Sequence, residues 1–308
     1  MEGITGYPFR NVHSKMFPGT DKYYIPFLSV HQSVTLTARE KKEIDPNNNS
    51  SVYCVPQLLG NDPGYTTVYI NYIKSLGYPE VNINMGCPSR TVTSKHKGAG
   101  MLEDPYFLDL FLRELFNSKA PSGIKVSVKT RIGMYNKDEI EDIINIFNKY
   151  PLSEVIVHPR LGKDRYNGTP DMEAFDKFYN SLVHPVSYNG DLISVYGIKN
   201  IIDKYPKLNA IMIGRGLLRD PNLINMVKNN TSLKLSDLSD FHDNLLNAWI
   251  AYMDSSDLAI LRMKELWDYL GSSFENSERY VRTIKKVRDF DEYKSAVYSL
   301  MHHCKFLL

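Results

Sequence analysis

Seven short runs rich in β-branched and aromatic residues recur along the first two-thirds of the chain. Each is followed by turn residues and then by a stretch with helical spacing, and that alternation constrains the fold more than any other feature. The runs cover residues 23–30 (YYIPFLSV), 52–59 (VYCVPQLL), 80–85 (EVNINM), 125–131 (KVSVKTR), 154–159 (EVIVHP), 185–188 (PVSY) and 210–213 (AIMI). Between them, 106–116 (YFLDLFLRELF) and 140–147 (IEDIINIF) repeat apolar residues at spacings of three and four. Strands alternating with helices imply parallel βαβ units with right-handed crossovers. Periodicity alone fits a doubly wound sheet as well as a barrel.

The polar residues at the strand ends decide between them. Gln57, Asn84 with Cys87, Lys129 with Arg131, His158 with Arg160, Asn189-Gly190-Asp191 and Gly214-Arg215-Gly216 all fall where a strand stops, and no apolar core needs them. In a (β/α)8 TIM barrel the carboxyl ends of all strands converge on one mouth, whereas an open sheet spreads them along an edge. The expected fold is therefore an α/β TIM barrel. Its eighth strand is expected to precede Met1, because Met1-Glu2-Gly3 reads as a strand-to-helix loop. After about Lys234 the strand signals stop, and helices are expected at 237–253, 257–270, 277–288 and 291–306. The expected organisation is a barrel domain over 1–235 and a helical bundle over 236–308.

Composition narrows the class. With 43% hydrophobic and 23% charged residues the 308-residue chain is neither disordered nor collagen-like. A formal charge of +2 makes it no polycation, so any nucleic-acid surface must come from local clustering. Three cysteines, Cys54, Cys87 and Cys304, are too few and too scattered for a disulfide framework. The first residues hold no apolar signal segment, and no run approaches 18 apolar residues. These features point to the reducing cytoplasm, with no membrane partner, and nothing calls for an obligate protein partner or a metal.

The most specific segment is Asn84-Met85-Gly86-Cys87-Pro88, closing the 80–85 run and followed by Lys97-Gly98-Ala99-Gly100. It resembles the signature of the tRNA-dihydrouridine synthases. Blocks at Gln57-Leu58-Leu59-Gly60, 126–133 (VSVKTRIG), His158-x-Arg160, Asn189-Gly190-Asp191 and 212–216 (MIGRG) resemble that family too, in family order. Met1-Glu2-Gly3-Ile4-Thr5 resembles the tail of its opening block, so the likeness runs from Met1 to about Leu223. One departure stands out: His158-Pro159-Arg160-Leu161 carries a proline that removes a backbone donor.

Each block has a physical reading. A thiol with an ordinary pKa near 8.5 stays mostly protonated at neutral pH and can act as a general acid unless a cation nearby depresses it; the bland alternative is a buried, inert cysteine. The resemblance implies that Cys87 protonates carbon 5 of a uracil while reduced FMN, recharged by NADPH, delivers hydride to carbon 6. Asn84 can offer both donor and acceptor to a pyrimidine edge, and the resemblance makes it hold the uracil. A reduced flavin is anionic and needs a cation beside it. Lys129 and His158 match the family's FMN ligands, with Gln57 bonding the ring and Met1 at the opening block. Phosphate is expected at the ends of the last two strands, on Asn189, Gly190, Asp191, Gly214 and Arg215, where glycines let backbone approach and arginine grips two oxygens.

The resemblance also implies a tRNA partner. Arg90 and Lys95 beside the cysteine loop, with Arg165 and Tyr166 in the 165–168 segment (RYNG), are expected substrate contacts. In 277–288 (SERYVRTIKKVR), Arg279, Arg282 and Lys286 fall within an arc of about 60° at 100° per residue, opposite Tyr280, Val281, Ile284 and Val287. Such a ridge can track phosphates, although a plain solvated face has the same pattern. Residues 236–308 hold nine Lys and Arg against twelve Asp and Glu, so only the ridge is basic. Another FMN barrel acting on a small molecule, or a flavin-less RNA-binding descendant, would share several of these features.

Overall fold

The computed structural model describes residues 3–308. Met1, expected among the cofactor ligands, lies outside the described residues. The chain forms two compact units. One comprises Tyr24–Asp191 with Tyr205–Met212, and the other comprises the chain up to Tyr23, Leu192–Lys204 and Ile213–Leu308.

The first unit is built on a seven-stranded parallel sheet: β1 (Leu28–Ser29), β2 (Gln57–Leu59), β3 (Glu80–Met85), β4 (Lys125–Arg131), β5 (Glu154–His158), β6 (Val186–Asn189) and β7 (Ala210–Met212). Their order in the sheet is their order in the chain. A doubly wound sheet reverses its strand order at a switch point; here the order never reverses, so the sheet keeps winding one way, as in a barrel. Among the described residues β1 and β7 end the sheet, and no eighth strand joins them.

Five of the seven expected strands fall within a residue or two of their runs. The first two runs are each cut by proline. Tyr23–Tyr24 and Leu28–Ser29 are separated by Pro26, and Cys54–Val55 and Gln57–Leu59 by Pro56. Proline has no N–H for a ladder, yet the Pro56 carbonyl still accepts from Asn82 N at 2.9 Å.

Two helices of this unit start the same way. In α2 (Pro63–Ser75) and α3 (Pro105–Asn117) an aspartate caps the helix and a proline fills its first position. Asp62 accepts from Tyr65 N at 2.7 Å and Asp104 from Phe107 N at 3.0 Å. Leu108, Phe111, Leu112 and Leu115 then form the buried stripe of α3, each contributing about 1.5–3 kcal/mol. Along β3 the faces alternate: Val81, Ile83 and Met85 take one side, and Glu80, Asn82 and Asn84 the other, all buried.

The second unit is helical. Its main members are α1 (Tyr7–Met16), α8 (Leu235–Met253), α9 (Ser256–Leu270), α10 (Glu278–Lys286) and α11 (Phe290–His303); the intervening α4 (Glu139–Phe147) and α5 (Met172–Ser181) belong to the first unit, and α6 (Val195–Lys204) and α7 (Arg215–Arg219) to this one. The expected C-terminal helices all form, with α10 ending two residues early at Lys286. The unit also takes in α1 and α7, so its edge is not residue 235. Apolar burial is the reason: Phe9 and Phe17 meet Phe241 with ring centroids 6.0 and 5.5 Å apart, and Leu218 and Leu233 join the same core. No helix among the described residues is long and apolar enough to cross a membrane.

Within this core Tyr293 is fully buried, and its hydroxyl accepts from Trp267 Nε1 at 3.0 Å. The same hydroxyl lies 2.8 Å from His242 Nε2, while His242 Nδ1 lies 2.9 Å from Asp243. A carboxylate only accepts, so Nδ1 carries the proton and the tyrosine donates to Nε2. Tyr293→Phe strands an indole N–H and an imidazole nitrogen in the core and is expected to cost about 1–3 kcal/mol, read as a lower midpoint in urea unfolding.

Candidate functional site

The carboxyl ends of β3 to β5 carry buried polar groups: Asn84, Thr130, Arg131, His158 and Arg160. After β3 the chain turns sharply through Gly86-Cys87-Pro88. Asn84, the penultimate residue of the strand, holds that turn: its Oδ1 accepts from Gly86 N at 3.0 Å and from Cys87 N at 2.9 Å. Asn84 Nδ2 donates to Gln57 Oε1 at 2.8 Å. Behind the turn the Cys87 carbonyl accepts from Ala99 N at 3.0 Å. Gly98 makes this contact possible, because its φ is +57° and a Cβ there would lie 2.7 Å from that carbonyl. Cys87 is in no disulfide and is half-buried, whereas Cys54 and Cys304 are buried.

The next strand end supplies cations. Arg131 is 1% exposed and ties three pieces of backbone together. Its Nε donates to Gly86 O at 2.9 Å, its Nη1 to Leu161 O at 2.8 Å, and its guanidinium sits 5.5 Å from the centre of the Tyr166 ring. Burial pulls its pKa down to about 10. Lys129, two residues earlier and half-buried, has a pKa lowered to about 8, first by burial and then by repulsion from Arg131. Among the described residues its ammonium has no hydrogen-bond or ion-pair partner.

At the end of β5, His158 and Arg160 are 5% and 3% exposed. Arg160 Nη1 donates to His158 Nε2 at 3.0 Å. A guanidinium cannot accept, so this imidazole nitrogen is unprotonated. Arg160 also pairs with Asp191 at 3.1 and 2.5 Å, and donates to Asn167 O at 3.2 Å and Gly168 O at 2.6 Å. One arginine thus anchors both the end of β6 and the loop that presents Arg165 and Tyr166.

That loop faces the cysteine turn across a cleft of about 330 Å³. Cys87, Pro88, Ser89, Arg90 and Thr91 line one side, Arg165 and Tyr166 the other. Arg90 and Arg165 are exposed, and Tyr166 is 58% exposed. Lys95 is exposed on the following segment but does not line the cleft.

Several expected ligands also have protein partners. Asn84 was expected to present both a donor and an acceptor; both lone pairs of its oxygen are spent on the turn, leaving a single N–H. Gln57 is engaged at both ends of its amide, by Asn84 and by Asn82 Oδ1 at 2.8 Å. Asn189 donates to Met212 O at 2.8 Å, and Asp191, with φ of +45°, is the counterion of Arg160. Gly214 and Arg215 fall in the helical unit, where Gly214 caps α7 and Arg215 opens it. Arg279, Arg282 and Lys286 are all exposed on α10, whose Ile284 is buried in the helical core. Arg131 and Arg160 escaped the reading as site residues; their position at strand ends was the available signal.

A parallel sheet wound in one direction, with a thiol, a lone ammonium and a cleft at its carboxyl ends, defines an enzyme of the α/β-barrel class. Solved structures bear out the fold: morphinone reductase matches with a TM-score of 0.55 at 9% identity, covering 78% of this chain and 85% of that one. The old yellow enzyme from Trypanosoma cruzi matches with a TM-score of 0.51 at 8% identity, covering 74% and 83%. The chain belongs to the dihydrouridine synthase family, whose model matches residues 1–306. It is 26% identical over 249 residues to the tRNA-dihydrouridine(16) synthase of Haemophilus ducreyi, covering 78% of this chain and 74% of that protein. Against the tRNA-dihydrouridine(16) synthase of Neisseria meningitidis it is 24% identical over 321 residues, covering 98% and 93%.

The ion pair at the heart of the site gives a direct check. The Arg160 side chain is 2% exposed and that of Asp191 is 35% exposed. Asp191→Asn leaves a buried guanidinium facing a neutral amide and is expected to cost about 1–3 kcal/mol, with faster proteolytic cleavage in the 162–168 loop.

Proposed function

We propose that this enzyme reduces a uridine of tRNA to 5,6-dihydrouridine, with FMN as the hydride source, NADPH as its reductant and Cys87 as the general acid. The observation that carries the reading is the reduced, half-buried Cys87, held by its backbone in the lining of the cleft. Family membership and the relatives named for tRNA support the substrate.

FMN fits the residues present through Lys129. A half-buried ammonium without a salt-bridge partner among the described residues is a cost that an anionic group would remove, and the lowered pKa of Lys129 reflects its burial and the repulsion from Arg131. Lys129 and His158 would hold the isoalloxazine. Gln57 keeps one N–H and one lone pair to offer it beyond its protein bonds. When bound, the cofactor supplies hydride to carbon 6 of the uracil. Cys87 then gives its thiol proton to carbon 5, so hydride and proton together saturate one carbon–carbon double bond. The remaining N–H of Asn84 can donate to a carbonyl of the base.

A uridine within folded RNA must leave its stack to reach such a thiol. The exposed Tyr166 offers an aromatic face for stacking, and Arg90 and Arg165 offer charge to flanking phosphates. On the helical unit, the exposed Arg279, Arg282 and Lys286 are the phosphate contacts, with Lys95 a further cation beside the cysteine loop.

Cys87→Ala is expected to keep FMN content and NADPH oxidation while dihydrouridine formation in tRNA falls about 10²–10⁴-fold. Equal rates in variant and parent would remove Cys87 from the chemistry. Arg279→Glu combined with Arg282→Glu is expected to weaken tRNA affinity at least tenfold, to lower the slope of affinity against salt, and to leave flavin content unchanged. Unaltered affinity in a filter-binding titration would assign the ridge to solvent alone.

A further inference from the structure

Below the cysteine turn, a continuous file of buried polar side chains crosses three neighbouring strands. The Gly86 and Cys87 N–H groups donate to Asn84 Oδ1, and Asn84 Nδ2 donates to Gln57 Oε1. Gln57 Nε2 donates to Asn82 Oδ1 at 2.8 Å, Asn82 Nδ2 to Ser127 Oγ at 3.0 Å, and Ser127 Oγ to Glu80 Oε1 at 3.1 Å. The sheet register sets Gln57, Asn82 and Ser127 side by side. Asn82 and Ser127 are fully buried, Glu80 is 2% exposed, and Gln57 and Asn84 are under 9% exposed.

The file can run in one direction only. Backbone amides at its upper end donate and never accept; the carboxylate at its lower end accepts and never donates. Reversing any amide between them would set N–H against N–H or oxygen against oxygen. The orientations of Asn84, Gln57 and Asn82, ordinarily a matter of assignment, are therefore fixed by both ends at once. A barrel interior is usually filled with branched apolar side chains, and a row of buried amides is tolerable only when every member is bonded. Such a row is a costly way to fill space and an effective way to fix a geometry.

We propose that Asn82, Ser127 and Glu80 are positioning residues for Cys87. They hold Gln57, and through it Asn84, in the one orientation that keeps the Asn84 oxygen beneath the turn. The thiol thereby takes its place from a carboxylate near the opposite ends of the strands. This rests on the reading of Cys87 as proton donor only for its catalytic consequence; the geometric part stands without it.

Asn82→Leu removes the central amide at similar volume, and Ser127→Ala cuts the next link. In the full-length protein each is expected to speed iodoacetamide modification of Cys87, read by mass spectrometry of its peptide, at least threefold. Deuterium exchange at the Gly86 and Cys87 amides should accelerate in step. Glu80→Gln sets a group that can also donate at the lower end, so it is expected to speed modification above the parent but less than Ser127→Ala does. Ser187→Ala is the matched control: it removes a buried hydroxyl that donates to Glu154, off the file, and is expected within twofold of the parent. Parental modification rates in both Asn82→Leu and Ser127→Ala would overturn the proposal, as would equal acceleration in Ser187→Ala. Should Asn82→Leu fail to fold, Ser127→Ala against Ser187→Ala carries the comparison. In the tRNA assay, kcat is expected to fall about tenfold with KM within twofold; a change confined to KM would count against a positioning role. The labelling needs neither cofactor nor RNA, so its outcome is separable from that of Cys87→Ala.

Discussion

Everything at the mouth of this sheet is organised by one carbonyl oxygen, that of the Asn84 side chain. It accepts two backbone N–H groups from the turn that follows its own strand. A tight turn beside a strand end leaves donors that the ladder cannot satisfy, and leaving them bare would cost about 1–3 kcal/mol each. Asn84 removes that cost and, in doing so, fixes where the Cys87 side chain begins. Gly98 does the complementary work from behind, letting the following loop pack on the Cys87 carbonyl where any side chain would collide.

Around that turn the electrostatics are arranged unevenly. Lys129, Arg131 and Arg160 come from adjacent strand ends, and Asp191 is the carboxylate that pairs among them, with Arg160. Arg131 is satisfied by carbonyls and an aromatic face, which support a cation without cancelling it. Lys129 has no salt-bridge partner among the described residues, and its proton is held less tightly than usual. A site in this state favours an anionic guest, and the cleft above it is bordered by two further exposed arginines. The same interior that buries these cations makes each one sensitive to its neighbours, since little water screens them.

The elements of the fold were legible because they obey local rules. Asp62-Pro63 and Asp104-Pro105 announce two helix starts in the chain itself, and both caps form as the residues suggest. Proline cut two strand runs that apolar content had joined, a local effect that weight on Pro26 and Pro56 would have caught. The edge of the helical unit was not legible in the same way. Nothing in the composition of residues 7–17 says that they pack with α8 at the other end of the chain; that follows from which apolar stripes find one another.

For the site, the sequence by itself determined which chemistry was available: a thiol after Asn-x-Gly, cations at successive strand ends, and a basic stripe on one face of α10. Period-two alternation already set Asn82 and Asn84 on one face of β3. Only the tertiary structure decided how they are spent. Asn84 and Gln57 bond each other, Asp191 pairs with Arg160, and Lys129 has no salt-bridge partner among the described residues. The reason is physical: a side chain's type fixes which bonds it can make, but a buried polar group takes whatever partner stands within reach. Which partner that is depends on strands brought together by register, far apart in the chain.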